Sequence, residues 1–88
     1  MTADSLLLDN GSKLEPLPET EWQDSLTEAQ EQTWLLIRGL AQSKPEGISE
    51  QKLYRLLGLR SSLPLRSRIK HLTQKGALKV TRWLKPKP

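Results

Sequence analysis

Between Arg66 and Lys75 the chain places Arg66, Ser67, Arg68, Lys70, His71, Gln74 and Lys75 with no carboxylate among them. These side chains are donors, and donors without acids suit the binding of an anion. The planar fork of an arginine matches guanine O6/N7 or a phosphate, and glutamine matches adenine N6/N7. Arg66 and Lys70 are therefore candidates for guanine, Gln74 for adenine, and Ser61 or Ser62, just upstream, for a phosphate. Bond-making chemistry lacks its parts. His71 is the only histidine, the chain has no cysteine, and no acidic residue follows Glu50 to complete a metal site or to orient a histidine base. No glycine-rich phosphate loop appears, so the sequence predicts neither an enzyme nor a bound cofactor or metal.

The charge is divided along the chain. Residues 1–50 hold all ten acidic residues and three basic ones, Lys13, Arg38 and Lys44, while residues 51–88 hold eleven lysines and arginines. The net charge of +4 thus conceals an acidic half and a basic half, and such asymmetry points to a polyanionic partner on the basic side. Lys79, Arg82, Lys85 and Lys87 extend the basic set beyond Lys75 and suit phosphate rather than bases, since a lysine on a flexible stem acts as a point charge. Lys52 and Arg55 could meet the same backbone or simply face water.

Helical elements must position these groups. Ser25-Leu26-Thr27-Glu28 and Thr27 to Gln30 both carry capping-box spacing, and an apolar stripe of Ala29, Thr33, Leu36, Ile37 and Leu40, flanked by Trp34 and Ala41, follows. This predicts a first helix from Thr27 to about Gln42, stopped by Lys44-Pro45-Glu46-Gly47. Ile48 then stands alone as a short extended link. Ser49 caps a second helix over Glu50 to Leu57, with Leu53, Leu56 and Leu57 inward and Gly58 as its stop. Ser62 is the expected cap of a third helix that carries Pro64 in its first turn and ends at Gly76. Leu65, Ile69 and Leu72 face inward, which turns Ser67, Lys70, His71 and Gln74 outward, with Arg66 on one flank and Arg68 and Lys75 on the other. Leu78 and Val80 alternate with Lys79, Thr81 and Arg82 as in a half-buried strand.

Leu53-x-x-Leu-Leu-Gly-Leu59, Ser61-Ser62 and Leu65-x-x-x-Ile69-x-x-Leu72-x-x-x-Gly76-x-Leu78-x-Val80 together resemble the second helix, turn, recognition helix and first wing strand of winged helix-turn-helix domains of small microbial repressors. The resemblance covers about 55 residues. It implies a mainly α fold, three helices with a short and incomplete β-wing, and a third helix, about residues 63–75, that enters the major groove. The wing is where the chain departs from the pattern, because Trp83, Leu84 and Lys-Pro-Lys-Pro leave no room for a returning strand. A single strand or a rudimentary hairpin is expected there.

The expected organisation is an acidic, flexible tail over 1–25, the helical domain over 26–84 and a basic tail over 85–88. Leu6-Leu7-Leu8 is the only apolar cluster in the first of these, a chance cluster or a docking motif for a partner or for the domain itself, and the acids of this tail could fold over the basic face and compete with DNA. Trp34 and Trp83 are expected in or beside the core, Trp22 as a staple or a subunit contact, and Leu35 as a candidate homodimer contact. No stretch reaches the roughly 18 apolar residues of a membrane span and the start lacks a secretory signal, so a cytoplasmic, or in a bacterium nucleoid-associated, protein is expected. Double-stranded DNA is the expected partner, in the role of a small transcriptional regulator or accessory factor. The alternatives are a protein-interaction module docking a partner through residues 1–25, and RNA or single-strand binding.

Overall fold

A computed structural model describes residues 5–18 and 25–82. Thr27 opens the first helix with both halves of a capping box: its hydroxyl accepts from the Gln30 N–H, and the Gln30 side chain accepts from the Thr27 N–H. This satisfies donors that a helix start leaves unpaired. The helix, α1, runs Glu28–Ser43 and buries Thr33, Trp34, Ile37 and Ala41. Leu36 and Leu40, expected at the centre of its stripe, lie at the core's margin. Ser49 caps α2, Glu50–Leu56, through its hydroxyl, which accepts from the Lys52 N–H, and Leu53 is its buried residue. The third helix, α3, spans Ser62–Gln74 and buries Leu65 and Leu72. Its N-cap is Ser61, one residue earlier than expected, and that side chain makes no capping hydrogen bond. Gly76, at φ 80°, closes α3 in the left-handed conformation that glycine adopts without steric cost.

The largest departure from expectation is at the N-terminal end. Residues 5–18 do not trail as a tail. Leu6–Leu7 forms β1 and Ser12–Pro16 forms β2, an antiparallel hairpin in which Leu6 faces Leu14. The connection Asp9-Asn10-Gly11 is a tight loop: Gly11 N–H donates to the Leu8 carbonyl, Leu8 N–H to the Ser12 carbonyl, and Ser12 N–H to Asn10 Oδ1. Gly11 sits at φ 90°, as three-residue hairpin loops require. Leu6, Leu8 and Leu14 are fully or almost fully buried and supply three of the eleven apolar core side chains among the described residues. The Leu6-Leu7-Leu8 cluster is therefore not a free docking motif. Leu6 and Leu8 are core, and Leu7 is partly covered.

The strand after α3, β3 (Leu78–Arg82), is not single, and among the described residues its partner is not local. It pairs antiparallel with β2 along its whole length, from Ser12 opposite Arg82 to Pro16 opposite Leu78, and the sheet order is β1-β2-β3. A lone strand would leave a row of backbone donors and acceptors unpaired, and here the other end of the chain supplies the partner. The result is three helices on a three-stranded antiparallel sheet, an α+β arrangement with more β structure than a mainly α fold with an incomplete wing. Ile48 behaves as the expected link and forms a parallel bridge to Leu8, with its N–H donating to the Leu7 carbonyl. Trp34 is core. Its Nε1 donates 2.8 Å to the Ala77 carbonyl, which also accepts the Leu17 N–H, so α1, the hairpin and the α3–β3 junction meet at one atom. Among the described residues no helix is long and apolar enough to cross a membrane.

Candidate nucleic-acid interface

Burial of Leu65 and Leu72 fixes the rotation of α3 about its axis, and the opposite stripe follows from 100° per residue. Leu63, Arg66, Ser67, Lys70, His71 and Gln74 are all exposed, at spacings of three and four residues, as one continuous face. This agrees with the expected outward set. Helix α3 itself contains no acidic residue. Ser61 and Ser62 stand at its start, exposed and half-exposed respectively. Lys52 and Arg55 lie exposed on α2, and Lys79 and Thr81 lie exposed on β3.

Two of the expected contacts are turned elsewhere. Arg68 is half-buried and its Nη1 donates 3.3 Å to Thr33 Oγ1 of α1. Lys75 is likewise half-buried, and its Nζ donates to Gln30 Oε1 at 3.0 Å and to the Ser25 carbonyl. Both cations fasten α3 to the start of α1. The sequence placed them on a flank of α3, and α1 covers that flank. Lys79 stands opposite Glu15 of β2 in the sheet register, a cross-strand pair of opposite charge. Arg82 closes β3 opposite Ser12. Trp22, Trp83, Leu84, Lys85 and Lys87 lie outside the described residues.

Arg66 is both exposed and tethered. Its Nε donates to Glu50 Oε2 at 3.2 Å and its Nη2 to Glu50 Oε1 at 3.3 Å, a side-on fork in which the arginine side chain is 60% exposed and the glutamate 15%. The hydrogen bonds first, and the opposite charge second, raise the guanidinium pKa above its ordinary value. Arg66 therefore stays cationic at any working pH.

The carboxylate is itself held. Asn10 Nδ2 donates 3.0 Å to Glu50 Oε2, and the Glu50 backbone N–H donates 2.9 Å to Asp9 Oδ1. Asn10, Glu50 and Arg66 line a cleft of about 330 Å³ together with Leu8, Leu14, Ile69 and Val80. No family model, curated protein or solved structure matches this chain.

Asp9, Asn10 and Glu50 were invisible as site residues in the sequence. Asn10-Gly11 between Leu8 and Leu14 was a readable hairpin signal, but nothing in the spacing brings that turn to α2 and α3. Leu63 was also missed. It is 73% exposed on the first turn of the cationic face, more exposed than Leu35, Leu56 or Val80.

Proposed function

We propose that this chain binds duplex DNA, with α3 in the major groove and the lysines and arginines around it on the phosphates. The observation that carries the reading is the exposed, acid-free face of α3 from Leu63 to Gln74. Thirteen helical residues span about 20 Å, and the major groove, about 12 Å wide, admits one such helix. In that pose Arg66 and Lys70 meet base edges, and Ser67, His71 and Gln74 line the same groove. Ser61 and Ser62 stand at the helix start, Lys52 and Arg55 on α2, and Lys79 and Arg82 on the strand that follows α3, all suited to phosphate. Lys85 extends the basic run in sequence. Arg68 and Lys75 are assigned to holding α3 rather than to DNA.

The α2–turn–α3 unit has the element order of a helix-turn-helix, and β3 with β2 has the place of a wing whose second strand comes from the N-terminal hairpin. A small intracellular DNA-binding regulator is the role that fits this arrangement. The test is selection from a random duplex pool in competition with single strands of the same sequences. Enrichment of a short duplex motif is expected, with a palindrome if two copies bind. Preferential recovery of single strands, or no enrichment, would overturn the reading. The alternative of a protein-docking role through residues 1–25 loses support where β1 and β2 are folded into the sheet.

A further inference from the structure

An arginine guanidinium carries five N–H donors. Glu50 occupies Nε and one hydrogen of Nη2 in Arg66, and Nη1 has no partner among the described residues. The side edge of the fork is thus engaged, and the end edge, Nη1 with the outer Nη2 hydrogen, remains for a ligand. That end edge is planar and two-pronged. Guanine offers two acceptors, O6 and N7, along its major-groove edge.

From this geometry we infer that Glu50 is a positioning residue for a guanine-reading Arg66, and that the Asp9-Asn10 turn of the hairpin clamps Glu50 for that purpose. The inference rests on the DNA-binding reading above and assigns one base to one side chain. Glu50 is 15% exposed and touched from three sides: by Arg66 of α3, by Asn10 at its carboxylate, and by Asp9 at its backbone N–H. Its direction is consequently set by the hairpin, not by the lability of a surface side chain. A guanidinium held on its side edge has surrendered the rotamer freedom that would let it swing to any nearby phosphate. It presents one edge, and less ordering remains to be lost on contact with the matching base.

The same carboxylate repels the DNA backbone. Glu50 therefore opposes non-specific binding while supporting guanine recognition, and the two effects separate experimentally. A residue of purely structural importance would lower both affinities together.

The test uses the full chain and a duplex obtained by selection, with each guanine replaced in turn by 7-deazaguanine, which lacks the N7 acceptor. Wild type is expected to lose about fivefold or more in affinity at one guanine, in keeping with the discrimination that bidentate arginine–guanine pairs provide. Arg66→Ala should abolish the penalty at that guanine alone. Glu50→Gln, which replaces one of the two acceptor oxygens by an NH2 donor and removes the negative charge, should shrink the penalty to within about twofold of none while binding random duplex more tightly than wild type. Asn10→Asp is the second variant. It keeps the acceptor for the Ser12 N–H, loses the donor to Glu50, leaves all three helices untouched, and should reduce the penalty in part. A full 7-deazaguanine penalty in Glu50→Gln, or a parallel fall in specific and random affinity, would overturn the inference. So would duplex binding by wild type with no penalty at any guanine, which leaves the DNA reading standing. Absence of duplex binding by wild type would overturn both.

Discussion

Replacing Leu14 with alanine removes a side chain with no exposed surface from the middle of β2, between Leu6 on one neighbouring strand and Val80 on the other. If the hairpin is integral to the fold, the cost is that of a core leucine. Such truncations cost about 2–5 kcal/mol through lost burial and the cavity left behind. Against a total stability of about 5–15 kcal/mol this is a large fraction. For a domain of this size each kcal/mol moves the melting temperature by roughly 4–8 °C, so a fall of about 8 °C at the least is expected. The assay is thermal unfolding followed by far-ultraviolet circular dichroism, with tryptophan fluorescence as a second probe. Leu35→Ala, at a leucine that is 42% exposed on α1, is the control and should change stability by about 0.5 kcal/mol or less. Melting of Leu14→Ala together with the control would show that residues 5–18 do not belong to the core or to the sheet.

Gly47→Ala should be destabilising by about 1–3 kcal/mol or more in the same melt, because φ is 91° and an added Cβ would sit 2.5 Å from the Leu7 carbonyl oxygen. An unchanged melting temperature would refute the close approach of the α1–α2 turn to β1. Thr27→Ala removes the acceptor half of the α1 capping box, and a loss of about 1 kcal/mol is expected. A neutral outcome in the melt would show that the cap is not formed.

The helices were legible because their determinants are local. Thr27 and Gln30, Ser49, Gly58 and Gly76 mark ends by chemistry that acts within a few residues, and Leu65, Ile69 and Leu72 orient α3 without reference to the rest of the chain. The hairpin was not. Leu6, Leu8 and Leu14 alternate correctly only once the Asp9-Asn10-Gly11 loop is placed between them, and the acids and prolines around them weaken any period. Their pairing with β3 joins the two ends of the chain, and no local pattern specifies a partner that distant. The same limit explains the misjudged cations. Helical geometry puts Arg68 and Lys75 on a flank, but whether a flank meets water or α1 depends on packing. It also explains Glu50, whose meaning comes from Asn10 and Arg66, residues brought to it by the hairpin and by α3. Deleting residues 1–24 to expose the basic face would remove three core leucines, Leu6, Leu8 and Leu14.

The salt dependence of duplex binding tests the central claim most directly. Fluorescence anisotropy with a labelled random-sequence duplex, titrated from about 50 to 200 mM salt, should give log affinity falling linearly with log salt at a slope of about −0.9 per phosphate neutralised. The Lys70→Ala variant, altered at an exposed position on the face of α3, should bind more weakly and lower that slope by about one phosphate's worth if its ammonium sits on the backbone. If it sits on a base, the slope holds and the selected motif relaxes at one position. Binding by the wild type that is insensitive to salt, or that is unchanged in affinity, slope and motif by the loss of Arg66 and Lys70 together, would contradict the account.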